Sequence, residues 1–236
     1  MMKHSVTVLL SLLFLFACRK DSEVPTPEKE AQHPDWYILH APDEHGIQAV
    51  YGDIDGTLLL TDRRHIHYTK DKGKTWKQAS YDSSIGLSGF AMTNDTLFVL
   101  DTETVSSSDS GNVYAKHPYQ FSVDGGISWK KLDQQWSMPE MKTPLNYSYS
   151  ANGIRFSIDR FIDSNGHVED KGIKSENGRR IGLPRQHVLK SIYFDKKSRL
   201  YISGSAPLCH TDGYMQLCDK ENARGTLYIS RQEIRY

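Results

Sequence analysis

From residue 35 onwards the chain alternates short apolar runs with tight-turn dipeptides. Asp55-Gly56 precedes the apolar residues 57–60, and Asn152-Gly153 precedes the alternating residues 154–158. Such dipeptides between β-rich runs are the strongest short-range signal for a β-hairpin. Helical periodicity is almost absent, so the pattern predicts an all-β chain.

The strand signals repeat in four units of the same internal order. First strands are predicted at 47–51, 87–92, 145–149 and 188–194, second strands at 57–60, 96–100, 154–158 and 199–202, and third strands at 65–68, 119–121, 172–174 and 226–229. The last unit lacks a fourth strand, and we expect residues 35–39 to supply it and to remove an exposed sheet edge. Alternatively, Trp36 only packs at the entry to the domain, and residues 234–236 supply that strand.

A motif with the pattern Ser/Thr-x-Asp-x-Gly-x-Ser/Thr-Trp follows the third strands. Its two intact copies consist of Thr69, Asp71, Gly73, Thr75 and Trp76, and of Ser122, Asp124, Gly126, Ser128 and Trp129. Partial copies begin at Ser175 and Ser230, so successive copies lie 53, 53 and 55 positions apart. This constant period predicts a repeat fold, a small β-propeller of four antiparallel, four-stranded blades.

The intact copies resemble the Asp-box, or BNR repeat, of the sialidase-like propeller superfamily. In that family the motif is the turn between the third and fourth strands of a blade. The residue types suit a turn, because an Asp carboxylate accepts backbone N–H groups, a Gly adopts positive φ, and a Ser or Thr hydroxyl closes a side-chain bond. The Trp is expected to pack between blades. The resemblance therefore implies a structural turn and no catalytic group.

The N-terminal region has the pattern of an export signal. A basic start precedes an apolar run at residues 6–16, which is too short for a permanent membrane helix. The run ends in Leu15-Phe16-Ala17-Cys18, which resembles the bacterial lipoprotein cleavage box and implies lipid attachment at Cys18. The alternative is an ordinary cleaved signal with an incidental cysteine. We predict a lipoprotein signal peptide at 1–17, a flexible tether at 18–34 and a single propeller domain at 35–236.

Two further cysteines fit an exported protein. Cys209 and Cys218 lie nine positions apart, and in an oxidising compartment such a pair favours a disulfide. The alternative, a metal held by this pair with His210, has no evident fourth ligand. The predicted location is the bacterial envelope, at the outer membrane or the periplasmic face, with the membrane as a partner through the lipid anchor.

Charge and motif content exclude several functions. The chain has 29 Lys and Arg against 29 Asp and Glu, a balance that argues against nucleic-acid binding. There is no phosphate-binding Gly-rich loop, and we predict no cofactor. His65 and His67 alternate on one side of a strand but have no evident third ligand, so no metal is predicted either.

The strand order places the second-to-third connections on the face opposite the Asp-box turns, here called the loop face. These connections, predicted at 62–64, 101–118, 159–170 and 204–225, are unequal in length. Long loops on a rigid scaffold often carry binding sites, although they are sometimes only decoration. The candidate ligand-binding residues on this face are Asp62, Arg63, Asp101, Tyr114, Asp159, Arg160 and Tyr214.

Three of these candidates, Asp62, Asp101 and Asp159, end second strands. In register they would line one rim of the central channel, where a polar rim suits a sugar, a cation or a peptide. The simpler interpretation is that they cap turns, because Asp favours strand ends for local hydrogen bonding.

The sequence therefore predicts a non-catalytic, lipid-anchored envelope propeller that binds an envelope protein or a glycan through the loop face. The alternative is a glycan-active hydrolase, a reduced relative of the sialidase-like enzymes. The Arg-Ile-Pro signature of those enzymes is missing, and four blades are fewer than the six that the resemblance implies for a sialidase. Two carboxylates held about 5–10 Å apart in one pocket would support the hydrolase.

Overall fold

In the computed structural model, the described residues are 33–81, 86–105, 111–133, 140–211 and 214–234. They form a four-bladed β-propeller of antiparallel sheets, and none of them belongs to a helix. Within this part of the chain there is accordingly no helix long and apolar enough to cross a membrane. The predicted signal peptide, Cys18 and most of the predicted tether lie outside the described residues.

The strands of each blade run outwards from the centre in chain order. Blade 1 consists of β2 (Ala49–Gly52), β3 (Leu58–Thr61), β4 (Ile66–Thr69) and β5 (Lys77–Gln78). Blade 2 consists of β6 (Gly89–Thr93), β7 (Thr96–Val105) and β8 (Val113–Ser122), with β9 (Lys130–Lys131) and β10 (Lys142–Pro144) both paired with the outer side of β8. Blade 3 consists of β11 (Tyr147–Tyr149), β12 (Arg155–Ile162), β13 (Val168–Ser175) and β14 (Arg180–Ile181).

Blade 4 is completed by a strand from the N-terminal side of the domain. Its first three strands are β15 (Leu189–Phe194), β16 (Leu200–Gly204) and β19 (Thr226–Ser230), and its outer strand is β1 (Trp36–His40). Trp36 pairs with Ser230, and the pairing continues to His40 and Thr226. The predicted closure is thereby confirmed, and Ile234 does not extend the sheet but buries its side chain in the core.

The long connections of blades 2 and 3 are paired strands, so their prediction as loops is wrong. β7 and β8 pair out to Val105 and Val113, and β12 and β13 pair out to Ile162 and Val168. The blade 4 connection contains a separate hairpin of β17 (Leu208–Thr211) and β18 (Tyr214–Leu217). The loop face therefore carries three β-hairpins, which hold their side chains in more regular positions than loops would.

The core lies between the blades, and each inner strand contributes to two interfaces. Leu59 packs with Trp129 of blade 2, whereas Leu58 and Leu60 face the other way and pack with Tyr201 of blade 4. Side chains alternate across a strand, so a sheet that is covered on both faces is apolar at successive positions. This explains the continuous run of leucines in β3.

Candidate functional site

The first intact copy of the turn motif, which runs from Thr69 to Trp76, is a closed set of hydrogen bonds. The Thr75 hydroxyl donates to Asp71 Oδ2 over 2.6 Å, and the Thr75 N–H donates to Asp71 Oδ1 over 2.9 Å. The Gly73 N–H donates to Thr69 Oγ1 over 3.0 Å. The bonds from Thr75 lower the pKa of Asp71 to about 2. Both oxygens of the Asp71 carboxylate therefore accept hydrogen bonds from within the turn.

The second intact turn repeats this geometry and packs against blade 1. The Ser128 hydroxyl donates to Asp124 Oδ2 over 2.6 Å, and Trp129 Nε1 donates to the Gly126 carbonyl over 2.9 Å. A Cβ on Gly126 would lie 2.3 Å from Leu59 Cδ1. The turn glycine thus allows two blades to approach closely.

The partial copies keep the hydroxyl and lose the carboxylate. Ser175 Oγ accepts the N–H of Arg179 over 3.1 Å, and Ser230 Oγ accepts the N–H of Leu200 over 2.9 Å. In all four copies of the motif, the hydroxyl of the first residue therefore accepts a backbone N–H group.

The loop face contains a cavity of about 450 Å³ where the first strands of the blades begin. Its polar lining comes from all four blades and includes Gln48, Glu103, Arg160, Glu169, Asp170 and Gln186. Mixed charges in a concave space shared between blades are typical of a binding site.

One side of this cavity is formed by an ionic link between blades 1 and 2. Arg63 is paired with Glu103, and Arg63 Nε also donates to Gln48 Oε1 over 3.1 Å. Gln48 Nε2 donates to Glu103 Oε2 over 3.0 Å, which closes the triangle. The Arg63 backbone has a φ of 83°, a conformation that non-glycine residues rarely adopt.

A bidentate ion pair within blade 3 also lines the cavity. Arg160 Nε donates to Asp170 Oδ1 over 2.7 Å, and Arg160 Nη2 donates to Asp170 Oδ2 over 3.0 Å. Asp170, whose side chain is buried, raises the pKa of the Arg160 guanidinium above its usual value. Asp170 Oδ2 also accepts the N–H of Leu189, which ties this pair to blade 4.

The predicted candidates divide into separate environments, and the three acids do not meet at one rim. Asp62 faces a group of histidines, Asp101 accepts the Thr102 hydroxyl, and Asp159 is paired with Arg180 of the outer strand β14. Asp159 lies at a register shift between Ile158 and Arg160. Such a bulge redirects a side chain, which explains why Asp159 does not point where regular strand alternation predicts.

The two tyrosine candidates also differ. Tyr114 is buried, with its hydroxyl 3.1 Å from the Tyr147 hydroxyl and Lys142 over its ring. Its position in a long strand places it inside blade 2, so it has no surface to offer a ligand. Tyr214 lies in the β17–β18 hairpin and is 78% exposed.

Apolar side chains are exposed at the ends of the three hairpins, and of these the sequence predicted only Tyr214 as a candidate. The more-than-half-exposed members of this set, here called the apolar tips, are Val105, Phe161, Ile162, Val168 and Tyr214. The available signal was the position of Phe161, Ile162 and Val168 on either side of the turn dipeptide Asn165-Gly166. Exposed apolar groups at the ends of hairpins on one face indicate an interaction surface.

Asp62 has a second role besides capping a turn. Its Oδ1 accepts the N–H groups of Arg64 and His65 over 2.7 and 2.6 Å, while its Oδ2 lies 3.0 Å from His65 Nδ1. Burial alone would raise the pKa of Asp62, but His67, His65 and these N–H groups outweigh it and hold the pKa well below its usual value. A buried carboxylate anion therefore faces two histidines.

Comparison with known proteins gives likeness of fold only. No protein-family model matches the chain, and no curated protein matches it. Among solved structures, a streptogramin B lyase matches with a TM-score of 0.36 and 10% identity over 84% of this chain and 98% of that one. A luciferin-regenerating enzyme matches with a TM-score of 0.38 and 12% identity over 83% and 95% of the two chains. A YCF48 bound to a D1 peptide matches with a TM-score of 0.33 and 13% identity over 84% and 71%.

Proposed function

We propose that the protein is a non-catalytic, lipid-anchored β-propeller of the bacterial envelope that binds a protein or glycan ligand through its loop face. The observation that carries this proposal is the set of apolar tips, which hairpins of three different blades expose on the loop face that also holds the charged cavity, and of which Val168 lines that cavity. Leaving such side chains in water is unfavourable, and burying them against a partner recovers that free energy.

The charged groups of the cavity favour binding over hydrolysis. Glu103 and Asp170 are the cavity carboxylates held by arginines, Arg63 and Arg160. In a glycosidase, one of two carboxyl groups has to donate a proton to the glycosidic oxygen. Here Glu103 and Asp170 accept hydrogen bonds from guanidinium groups instead, and Glu169, the third carboxylate in the lining, is paired with Lys171. Such an arrangement suits a rigid recognition surface.

Between the two ligand classes, the apolar tips favour a protein. Aromatic residues and methionine are enriched at protein interfaces, whereas charged residues are depleted at their centres. Phe161 and Tyr214 supply exposed aromatic groups, and Val168 and Met215 line the cavity. A cavity that combines charged and apolar side chains matches a protein segment that inserts one polar side chain.

Retention assays with the full chain test this proposal. Immobilised protein is exposed to envelope extract and to a glycan array, with the variants Phe161→Ser and Tyr214→Ser in parallel. Tyr149→Ser is the matched control, because Tyr149 is also more than half exposed but ends the first strand of blade 3, on the Asp-box side.

We expect each loop-face substitution to weaken retention by about 10-fold or more, as the loss of an aromatic interface residue commonly does. Tyr149→Ser is expected to bind as the unaltered protein does. Equal losses in all three variants, or retention that none of them affects, would contradict binding through the loop face.

The proposed lipid anchor is tested separately. Cys18 and the apolar run before it support lipidation, and the disulfide between Cys209 and Cys218 fits an oxidising compartment. Cys18→Ser is expected to move the protein from the membrane fraction to the soluble fraction and to abolish the lipid mass on the mature chain. A Cys18→Ser variant that fractionates with membranes like the unaltered chain would exclude this anchor.

A further inference from the structure

Four potential metal ligands meet on the loop face of blade 1. Asp43, Asp62, His65 and His67 each place one ligand atom within 4.8 Å of the others. Asp43 lies in the connection from β1 to β2, whereas the other three residues belong to the β3–β4 turn and to β4. The group therefore joins two segments that are separate in the chain.

The spacing of these atoms fits a shared ion. His65 Nδ1 lies 3.0 Å from Asp62 Oδ2, and His67 Nε2 lies 3.7 Å from Asp43 Oδ2 and 3.9 Å from Asp62 Oδ2. A tetrahedral zinc site has ligand distances of about 2.0–2.1 Å, so its ligand atoms are roughly 3.3 Å apart. The three separations lie on both sides of that value, and all four ligand atoms lie within 4.8 Å of one another. Closing around an ion therefore needs side-chain shifts of up to roughly an ångström.

His67 provides an independent indication of a ligand. Its side chain is only 9% exposed, and Nε2 has no hydrogen-bond partner among the described residues. Leaving a buried polar atom unsatisfied is costly. Both carboxylates that Nε2 faces are too distant for a hydrogen bond but close enough to share an ion with it.

The remaining neighbours leave one side of the group open. Asp62 Oδ1 is used by backbone N–H groups, so Oδ2 is the oxygen that points towards the histidines. His45 Nδ1 lies 3.4 Å from Asp43 Oδ2 and 3.9 Å from Asp62 Oδ2, and its side chain is half-exposed. Asp43, His45 and His65 are each partly exposed, so the group is in contact with solvent.

We propose that Asp43, Asp62, His65 and His67 bind a divalent transition metal ion of the Zn²⁺ class. Two imidazoles and two carboxylates form a borderline donor set that suits Zn²⁺ better than the all-oxygen set preferred by Mg²⁺ or Ca²⁺. The ion links the connection that enters blade 1 to the turn that supports Arg63. This site is independent of the proposed partner binding.

Calorimetric titration of the EDTA-treated full chain with ZnCl₂ tests the proposal. We expect one saturable ion per chain and a higher melting temperature in its presence. His65→Ala and His67→Ala are each expected to weaken binding by at least about 10-fold, a loss that even supporting residues of metal sites produce. His65 is half-exposed, so its removal tests the site even if the buried His67→Ala variant fails to fold.

His167→Ala is the matched control. His167 Nδ1 lies 2.9 Å from Asp163 Oδ2, so it forms a similar histidine–carboxylate pair, but it belongs to no ligand cluster within the described part of the chain. The His167→Ala variant is expected to bind Zn²⁺ with the same affinity as the unaltered protein. Absence of saturable binding, or an affinity that His65→Ala leaves unchanged, would overturn the proposal.

Discussion

At the scale of single residues, Gly126 serves the second intact copy of the turn motif in two ways. Its φ of +90° lies in the left-handed region, and the Leu59 side chain of blade 1 occupies the space where a Cβ would be. Gly125 beside it also has positive φ, at +75°, but nothing lies within 4 Å of its Cβ position. A side chain at Gly125 would therefore cause backbone strain alone, whereas one at Gly126 would also disturb the packing between blades.

Alanine substitutions at these two glycines are expected to differ in cost. Gly125→Ala should lower the free energy of unfolding by about 1–2 kcal/mol through backbone strain alone. Gly126→Ala should lower the free energy of unfolding by about 1–3 kcal/mol more than Gly125→Ala does, because the new methyl group overpacks the contact with Leu59. Urea unfolding of both variants measures the difference, and equal losses would show that the blade contact tolerates a methyl group.

The carboxylates of the intact turns predict a loss of stability in acid. Thr75 lowers the pKa of Asp71 to about 2, and at Asp124 burial raises the pKa but the bonds from Ser128 outweigh it, again giving about 2. Both values are below the usual 3.8, so this stabilisation is complete above about pH 4 and is lost as the pH falls towards 2.

Replacing both groups by Asn is expected to flatten this pH dependence. The Asp71→Asn, Asp124→Asn double variant should be less stable than the unaltered protein at pH 5 and should approach it near pH 2. The measurement is the urea midpoint between pH 5 and pH 2. Parallel curves for the two proteins would show that other groups dominate the acid response.

At the scale of elements, the β17–β18 hairpin differs from the blades because its two strands pair only with each other. Among the described residues, Leu208 of β17 is bridged to Gln186, which precedes blade 4, and the Cys218 N–H donates to the Pro207 carbonyl at the base of the hairpin itself. An isolated two-stranded hairpin is marginally stable in water. The confirmed disulfide between Cys209 and Cys218 holds it together at its base.

Removal of that disulfide is expected to open the hairpin and leave the propeller folded. Closing a loop of this length contributes about 2–3 kcal/mol in the chain-entropy model, so the open population should rise by about 30-fold or more. Chymotrypsin cleavage at the exposed Tyr214 should accelerate in proportion in a Cys209→Ser, Cys218→Ser variant. A large fall in melting temperature instead would mean that the hairpin unfolds together with the blades.

At the scale of the whole propeller, the ring is closed by strands from distant parts of the chain. β1 pairs with β19, and Trp36 packs edge-on against Tyr228 in a core shared by blades 3 and 4. Blades 4 and 1 are also joined by Arg199, which is paired with Asp195 of its own blade and with Asp53 and Asp55 of blade 1. Apolar and ionic contacts thus support the same closure.

Truncation of Trp36 is expected to weaken the whole propeller. Trp36→Ala should lower the free energy of unfolding by about 3–5 kcal/mol, because a large buried side chain is lost at the closing strand. Tyr149→Ala, at an exposed position, should change it by less than about 0.5 kcal/mol. The measurement is equilibrium unfolding followed by tryptophan fluorescence and circular dichroism. Equal stability of the two variants would contradict this prediction.

Local sequence was sufficient wherever a feature depends on neighbours in the chain. The turn motif specifies its own hydrogen bonds, because its hydroxyl, carboxylate and glycine lie within five positions of one another. Its period then gives the number of blades, and the unpaired last unit predicts β1. The disulfide followed from the proximity of Cys209 and Cys218 in a chain whose N-terminal pattern predicts export.

Features that depend on register or on contacts between blades were decided by the tertiary structure. A bulge turns Asp159 away from the cavity, and strand pairing beyond the expected ends buries Tyr114. Asp43 reaches the two histidines only because the closing strand delivers its connection to blade 1. Each of these outcomes depends on packing energies summed over distant segments, and no local spacing in the sequence encodes them.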